Sequence, residues 1–241
     1  MTPTLVLLHA FGASAKAWDH VLAELDGAFP IVATDLPGFG GGRDQLQADN
    51  VGDYADWVLR DLQTRGVGDF ILVGWSMGGK IALSCALRKP EGLKALILVA
   101  PSPPGAEPME RGARQEERDS FGDPAATREA LEGAAGDDIA KAPLDHAVAQ
   151  RLTTSRSAFD FWLNVGSKED LSTQVEGLDL PVLVISGDED DHLGEDAVAK
   201  QVAPHLPHLT QTIITSSGHL VPYEQPQQLA RAIKAYVDSL G

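Results

Sequence analysis

Three kinds of side chain in this 241-residue sequence could together activate a nucleophile. Ser76 stands between Gly74 and Gly78 in the segment DFILVGWSMGGKIALSC. A serine hydroxyl is a poor nucleophile unless a base takes its proton and an acid orients that base. A group of carboxylates at 188–191 and a histidine, His219, follow later in the chain. Their order predicts a triad of serine, acid and histidine.

The pentapeptide Gly-Trp-Ser-Met-Gly at 74–78 lies where an apolar run ends and a helix-like run begins. A nucleophile elbow of the G-x-S-x-G type requires this context, because a sharp strand-to-helix turn exposes the serine hydroxyl at the edge of the sheet. Larger side chains at the two glycine positions would collide with the neighbouring strand and helix. The hydroxyl would also lie beside the positive end of the helix that begins near Met77.

The histidine and the acid each follow a strand-like run, at 209–217 and 180–188 respectively. The spacing alone leaves several acids open, and these are Asp188, Glu189, Asp190 and Asp191. The other histidines lack the context of His219 and form no spacing typical of metal ligands. We therefore predict no metal ion and no cofactor.

Six strand-like runs alternate with helix-like runs along the chain. The strands are predicted at 4–10, 29–37, 69–76, 93–102, 180–188 and 209–217, and the helices between and after them at 15–26, 50–65, 77–89, 195–203 and 226–240. Most of the strand-like runs are continuously apolar, which is typical of parallel strands buried on both faces. This alternation predicts an α/β fold with a doubly wound, mostly parallel sheet of about six strands.

The segment 103–170 breaks this alternation, because it contains helix-like stretches and no strand. Its helices are predicted around 109–119, 124–134, 143–153 and 157–164. Open α/β sheets bind ligands at the carboxyl ends of their strands, so we interpret the segment as a helical cap inserted after the fourth strand. The residues 1–102 and 171–241 would form the core of the same domain. An ordinary helical elaboration is the alternative.

Charge and composition exclude several classes of partner. The formal net charge of −16 predicts no nucleic-acid partner and no membrane partner, because such a surface repels phosphates and anionic lipids. The single cysteine, Cys85, excludes an internal disulfide. The N-terminal segment lacks the basic region of a signal peptide, and no apolar run is long enough to span a bilayer. We therefore predict a cytoplasmic protein. The sequence leaves open whether it is a monomer or a homodimer.

Five stretches resemble the α/β-hydrolase superfamily, in particular its capped esterases, lactonases and carbon–carbon hydrolases. The stretches are LVLLHAFGAS, ATDLPGFGGG, LVGWSMGGKIAL, PVLVISGDEDD and SSGHLVPYEQPQQLARAI. The family's pattern of glycine, two residues and acid places the acid at Asp190. The resemblance implies the α/β-hydrolase fold and a serine hydrolase that uses Ser76, Asp190 and His219. Its substrate would be a small carboxylic ester or lactone, cleaved through an acyl-enzyme intermediate.

The resemblance also implies an oxyanion hole formed by the backbone N–H groups of Phe11 and Met77. The stretch HAFG resembles the family's HGFG, with Ala10 in place of the usual glycine. Alanine can serve there only if its φ angle is negative or mildly strained. We interpret His9 as a brace for this loop.

The substrate-binding walls are predicted from Trp75 and Ser102 in the core and from Phe159 and Trp162 in the cap. Within the same fold, the triad could instead run carbon–carbon hydrolysis, a cofactor-free lyase or synthase step, or perhydrolysis. A ligand-binding protein without turnover is a further alternative. The glycine-rich stretch 35–42 lacks the lysine and the spacing of a phosphate-binding loop, and we interpret it as structural.

Overall fold

The fold is built on one sheet of six strands, and the prediction of a parallel sheet is confirmed. The computed structural model describes residues 2–42, 47–109, 112–191 and 193–241. The strands lie in the order β2-β1-β3-β4-β5-β6, and every neighbouring pair is parallel. Their bounds are β1 Thr4–Leu8, β2 Ile31–Ala33, β3 Phe70–Trp75, β4 Leu93–Val99, β5 Val182–Gly187 and β6 Leu209–Ile214.

Helices cover both faces of the sheet. Their bounds are α1 Asp19–Leu25, α2 Val51–Thr64, α3 Met77–Ala86, α4 Ala113–Asp119, α5 Pro124–Ala134, α6 Lys141–Arg151, α7 Arg156–Asn164, α8 Ser172–Val175, α9 Glu195–Ala197, α10 Val221–Glu224 and α11 Pro226–Ser239. The predicted helix at 195–203 is α9 followed by a π-helical turn, Val198–Val202. Residues 110 and 111 of the predicted stretch 109–119 lie outside the described residues, and the short helices α8 and α10 were not predicted.

The strands are continuously apolar because alternate residues enter two separate clusters. In β1, Leu5 and Leu7 belong to the cluster that includes α1 and α11. Val6 and Leu8 belong to the cluster on the other face, which includes α2 and α3. Since successive side chains of a strand point to opposite faces, both halves of each strand pattern must be apolar.

Local signals fix the ends of the two long helices of the core. Asn50 caps α2 by accepting a hydrogen bond from the backbone N–H of Asp53, and the Asp53 carboxylate accepts one from the Asn50 backbone in return. Pro226 begins α11, where its missing N–H costs nothing.

The described part of the connection between β4 and β5 contains helices joined by loops and no strand. We call residues 103–109 and 112–170 the helical segment; it contains α4 to α7. Apolar residues of α5 and α6 extend the cluster of α1 and α11, while those of α7 extend the cluster of α2 and α3. The helical segment thus spans the carboxyl edge of the sheet. No helix among the described residues is both long and apolar enough to cross a membrane.

Candidate active site

A chain of hydrogen bonds joins the three residues of the predicted triad. The Nε2 atom of His219 lies 3.0 Å from the Oγ atom of Ser76. The Nδ1 atom of His219 lies 2.9 Å from Oδ2 of Asp190, whose side chain is 1% exposed. An ionised carboxylate only accepts, so Nδ1 carries the proton and Nε2 can accept from the serine hydroxyl. The geometry is that of a nucleophile, its base and an orienting acid.

The turn from β3 to α3 holds Ser76 in a strained conformation. Its φ angle is 51° and its ψ angle is −115°, a region that L-residues rarely occupy. A Cβ atom on Gly74 would lie 2.3 Å from the carbonyl oxygen of Gly78, and one on Gly78 would lie 2.3 Å from that of Leu8. The two glycines therefore allow the close contacts of helix and strand on which this turn depends.

The loop after β5 separates the candidate acids. Asp190 contacts His219 through Oδ2, and its Oδ1 accepts a hydrogen bond of 2.8 Å from the backbone N–H of Leu193. The Oδ1 atom of Asp188 accepts instead from the Ser217 backbone at 3.3 Å. Asp191 is exposed. Of the acids left open by the spacing, the structure brings Asp190 to the histidine.

The loop after β1 lies opposite the elbow. Ala10 is not among the described non-glycine residues with positive φ, so alanine fits this position without strain. Phe11 lines the same cavity as Ser76, and Met77 is the first residue of α3, where a backbone N–H has no acceptor within its helix. The oxyanion hole at Phe11 and Met77 stays a prediction.

His9 joins this loop to the loop that follows β2. Its ring is fully buried; Nε2 accepts a hydrogen bond of 3.0 Å from the Leu36 backbone, so the protonated Nδ1 donates to the Ala10 carbonyl at 2.8 Å. Burial lowers the pKa of His9 to about 4, so the ring is neutral at physiological pH.

A cavity of about 440 Å³ opens above Ser76. Core residues and the helical segment both line it, and α5, α6 and α7 contribute Leu131, Ala147 and Trp162. Most of the wall is apolar, so the cavity suits an apolar ligand better than a highly charged ligand. The interpretation of residues 103–170 as a cap stays a prediction.

The predicted substrate-binding residues lie in two layers. Trp75 and Trp162 are in the cavity wall, and the Nε1 atom of Trp75 also donates a hydrogen bond of 2.9 Å to the His219 carbonyl. Ser102 and Phe159 are buried and are not among the described residues that line the cavity. Phe159 packs behind Phe11, with ring centroids 4.9 Å apart.

Two polar groups of the cavity wall were missed by the sequence reasoning. The first is an ion pair between Arg151 of α6 and Glu117 of α4, both largely buried. The second is Glu107, which follows β4. No sequence motif indicates them, because two separate helices bring Arg151 and Glu117 together and a loop brings Glu107 to the cavity.

A lysine lies fully buried on α3, the helix that begins directly after Ser76 and that we call the nucleophile helix. The Nζ atom of Lys80 donates a hydrogen bond of 2.8 Å to the carbonyl of Gly105. Burial lowers the pKa of Lys80 to about 8, although the carboxylates of Glu107, Glu169 and Asp170 act in the opposite direction. Lys80 thus holds the stretch that brings Glu107 to the cavity.

The end of α5 and the loop after it are hydrogen-bonded to the loop that carries His219, which we call the histidine loop. The backbone N–H of His219 donates to the Ala134 carbonyl at 2.8 Å. The Glu224 carboxylate accepts hydrogen bonds from the N–H groups of Gly136 and Gly218 and, at 3.3 Å, from the Ser217 hydroxyl. Glu224 therefore connects the helical segment with the loop that carries the proposed base.

Several charges act on the His219 imidazole. Burial by itself lowers its pKa, but the hydrogen bond and the charge of Asp190 together with the charges of Glu107 and Glu224 outweigh burial and raise the pKa above its ordinary value. The protonated imidazole is stabilised in this surrounding. Among the described residues, no group of three or more His, Cys, Asp or Glu side chains could hold a metal ion.

Known proteins resemble this chain over most of its length. A model of the alpha/beta hydrolase family matches residues 5–232. The chain is 30% identical over 228 residues to a pimeloyl-[acyl-carrier protein] methyl ester esterase from Vibrio campbellii, covering 90% of this chain and 87% of that protein.

Two solved structures share the fold over nearly the whole chain. An esterase from Thermogutta terrifontis has a TM-score of 0.86 at 22% identity, covering 100% of this chain and 91% of that one. A bromoperoxidase from Bacillus anthracis has a TM-score of 0.90 at 16% identity, covering 99% and 92%. The matched region runs from the first strand into the last helix and includes all three residues of the hydrogen-bonded chain. This chain belongs to the alpha/beta hydrolase family and has the α/β-hydrolase fold.

Proposed function

We propose that this protein hydrolyses a small carboxylic ester or lactone through an acyl-enzyme intermediate on Ser76. The observation that carries this proposal is the chain of hydrogen bonds from Ser76 through His219 to Asp190 beneath a mostly apolar cavity. A binding protein without turnover would need neither the strained serine nor the bonded base and acid. The printed name of the relative from Vibrio campbellii, a methyl ester esterase, supports an ester as the bond that is cleaved.

The first half of the reaction transfers the acyl group to the enzyme. His219 Nε2 takes the hydroxyl proton of Ser76 as Oγ bonds to the carbonyl carbon, and the backbone N–H groups of Phe11 and Met77 hold the oxyanion. When the intermediate collapses, the ester C–O bond breaks and His219 returns the proton to the leaving alcohol. Asp190 stabilises the imidazolium throughout.

The second half releases the acid. A water molecule takes the place of the alcohol, His219 accepts one of its protons, and the resulting hydroxide oxygen bonds to the acyl carbon. Collapse breaks the bond to Ser76 Oγ, which takes the proton back from His219. A lactone follows the same steps, except that the leaving alcohol remains attached to the acid.

The charge of the protein favours a small and uncharged substrate. With a formal net charge of −16, the protein repels polyanions such as nucleic acids and anionic lipid surfaces. The cavity is large enough for a drug-sized ligand. We propose that the helical segment acts as the cap that shapes this site.

A fluorophosphonate probe and a panel of p-nitrophenyl esters test the proposal together. We expect the probe to label wild-type protein at Ser76 and the panel to be hydrolysed, with both signals lost in Ser76→Ala. Asp190→Asn should lower kcat/KM by about 10⁴-fold, because the histidine loses its orienting acceptor. Asp188→Asn serves as the matched control. Ester hydrolysis that persists in Ser76→Ala would rule out the serine as nucleophile.

A further inference from the structure

The apolar cavity contains one ion pair that the proposed chemistry does not use. Arg151, the last residue of α6, contacts Glu117 of α4, and the two side chains are 10% and 19% exposed. Both residues line the cavity that holds Ser76. A buried ion pair often contributes little net stability, because desolvating two charges offsets much of their attraction. Its position in the wall therefore calls for another role.

The guanidinium is held in one place by its surroundings. Its central carbon lies 5.2 Å from the ring centroid of Phe11 and 5.8 Å from that of Phe159. The absence of a side chain at Gly12 makes room for it, since a Cβ atom there would lie 2.9 Å from Cγ of Arg151. The charged group is thus fixed above Phe11, the residue whose N–H is proposed to hold the oxyanion.

Arg151 has more hydrogen-bond donors than the protein has acceptors for them. A guanidinium carries five N–H donors, and Glu117 can take only part of them. No described residue accepts a hydrogen bond from the Nε atom, although that atom is buried. The side chain is 10% exposed and lines the cavity, so a ligand can reach the guanidinium there. Since burying N–H donors without acceptors is costly, an acceptor oxygen of a ligand would be bound selectively at this point.

We propose that Arg151, held by Glu117, recognises a neutral acceptor oxygen, such as a carbonyl, in the acyl chain of the substrate. This inference rests on the proposed function, because the same cavity must hold the acyl group. It makes Arg151 a specificity residue for an oxygen-bearing acyl chain.

A neutral oxygen fits this wall better than a carboxylate does. Glu117 already balances the charge of Arg151, and Glu107 lines the same cavity. A carboxylate on the substrate would face both of these acids inside a protein whose formal net charge is −16. A carbonyl oxygen accepts a hydrogen bond from the guanidinium without that repulsion.

Matched acyl chains test this proposal. We would measure kcat/KM for p-nitrophenyl heptanoate, for its 5-oxo and 6-oxo derivatives, and for mono-p-nitrophenyl adipate. We expect wild type to prefer at least one oxo ester over heptanoate by about tenfold, which corresponds to one hydrogen bond from a charged donor. The adipate, which ends in a carboxylate, should show no such preference.

The variants separate recognition from folding. In Glu117→Gln/Arg151→Met the buried charges are removed together, so neither is left unpaired, and the methionine keeps an apolar stem beside Phe11. We expect the ratio of kcat/KM for the preferred oxo ester to kcat/KM for heptanoate to fall to about one in this variant, while heptanoate is still hydrolysed and the fluorophosphonate still labels Ser76. The control is Lys141→Met, an exposed lysine on the same helix.

The outcomes distinguish the two proposals. If wild type hydrolyses none of the esters and is not labelled, the proposed function fails. If heptanoate is hydrolysed but no oxo ester is preferred, or if the preference survives in the double variant, the role of Arg151 is overturned and the proposed function stands. A preference for the adipate that depends on Arg151 would also overturn the neutral-oxygen assignment.

Discussion

The ammonium group of Lys80 is bound to the carbonyl oxygen of Gly105, 2.8 Å away, inside the protein. Lys80 lies one helical turn after Ser76, and Gly105 lies in the stretch that leads from β4 to the cavity. The hydrogen bond thus connects the nucleophile helix with the start of the helical segment. Its strength depends on the protonation of Lys80, whose pKa is lowered to about 8, chiefly by burial.

The lowered pKa of Lys80 predicts a specific pH dependence of stability. Between pH 8 and the ordinary value of 10.5, the unfolded chain binds this proton and the folded protein does not. Stability contributed by this group must therefore rise with pH in that window. We expect the free energy of unfolding of wild type, relative to Lys80→Met, to increase by up to about 3 kcal/mol across it. Urea denaturation at several pH values measures this.

A matched control isolates the buried lysine. In Lys200→Met an exposed lysine is lost, so this variant shows how the loss of a surface charge alone changes the stability curve. A difference between wild type and Lys80→Met that does not change with pH would contradict a lowered pKa of Lys80.

If His219 is the base, its protonation is expected to set the acid limb of the activity profile. The base must be neutral to accept the proton of Ser76, and its pKa is raised above the ordinary 6.5. We expect kcat/KM to fall as the pH drops through a value above 6.5. In Glu107→Gln one of the charges that raise this pKa is removed, so the limb should move to lower pH. Glu129→Gln, which removes an exposed charge on α5, should leave the limb where it is.

The backbone strain at Ser76 predicts a stabilising substitution. Glycine adopts a φ angle of 51° without the steric cost that serine and alanine have there. We expect Ser76→Gly to be about 1 kcal/mol more stable than Ser76→Ala, because both lose the hydroxyl and only one keeps the strain. Thermal or urea denaturation gives the comparison. Equal stability of the two variants would contradict strain at the elbow.

Glu224 is expected to position His219 without contacting substrate. Glu224→Ala removes the acceptor shared by Gly136, Gly218 and Ser217, so the histidine loop should shift and kcat should fall by about 10- to 100-fold with little change in KM. Glu224→Gln keeps a carbonyl acceptor and should stay within about threefold of wild type. Steady-state kinetics and the rate of fluorophosphonate labelling measure both. A wild-type rate in Glu224→Ala would exclude this role.

Local patterns in the sequence predicted the sheet and singled out Ser76 and His219 as residues at its carboxyl edge. Continuous apolar runs specify strands buried on two faces, as the two clusters of β1 show. Ser76 and His219 each follow such a run, and parallel strands bring their carboxyl ends to one edge. Choosing Asp190 among its neighbours needed the family resemblance, because all four acids follow the same strand.

The polar part of the cavity could not be predicted, because it depends on how helices pack. Arg151 and Glu117 lie on two different helices. The hydrophobic pattern of a helix indicates which of its faces is buried, but not which other helix that face contacts. The same limit explains Phe159, whose apolar side chain packs behind Phe11 and not in the cavity wall. Short helices such as α8 and α10 were missed because four residues carry no measurable period.

Gly136, in the loop after α5, contacts Gly218, in the loop that carries His219, and this contact limits how the protein can be re-engineered. A Cβ atom on Gly218 would lie 2.4 Å from the backbone nitrogen of Gly136, so neither loop tolerates a side chain where they meet. If the helical segment is exchanged for that of another family member, the surface that contacts the histidine loop is replaced with it. Gly136, Gly218 and Glu224 contact one another across the two loops. An exchange of the helical segment must therefore include all three residues if His219 is to keep its position.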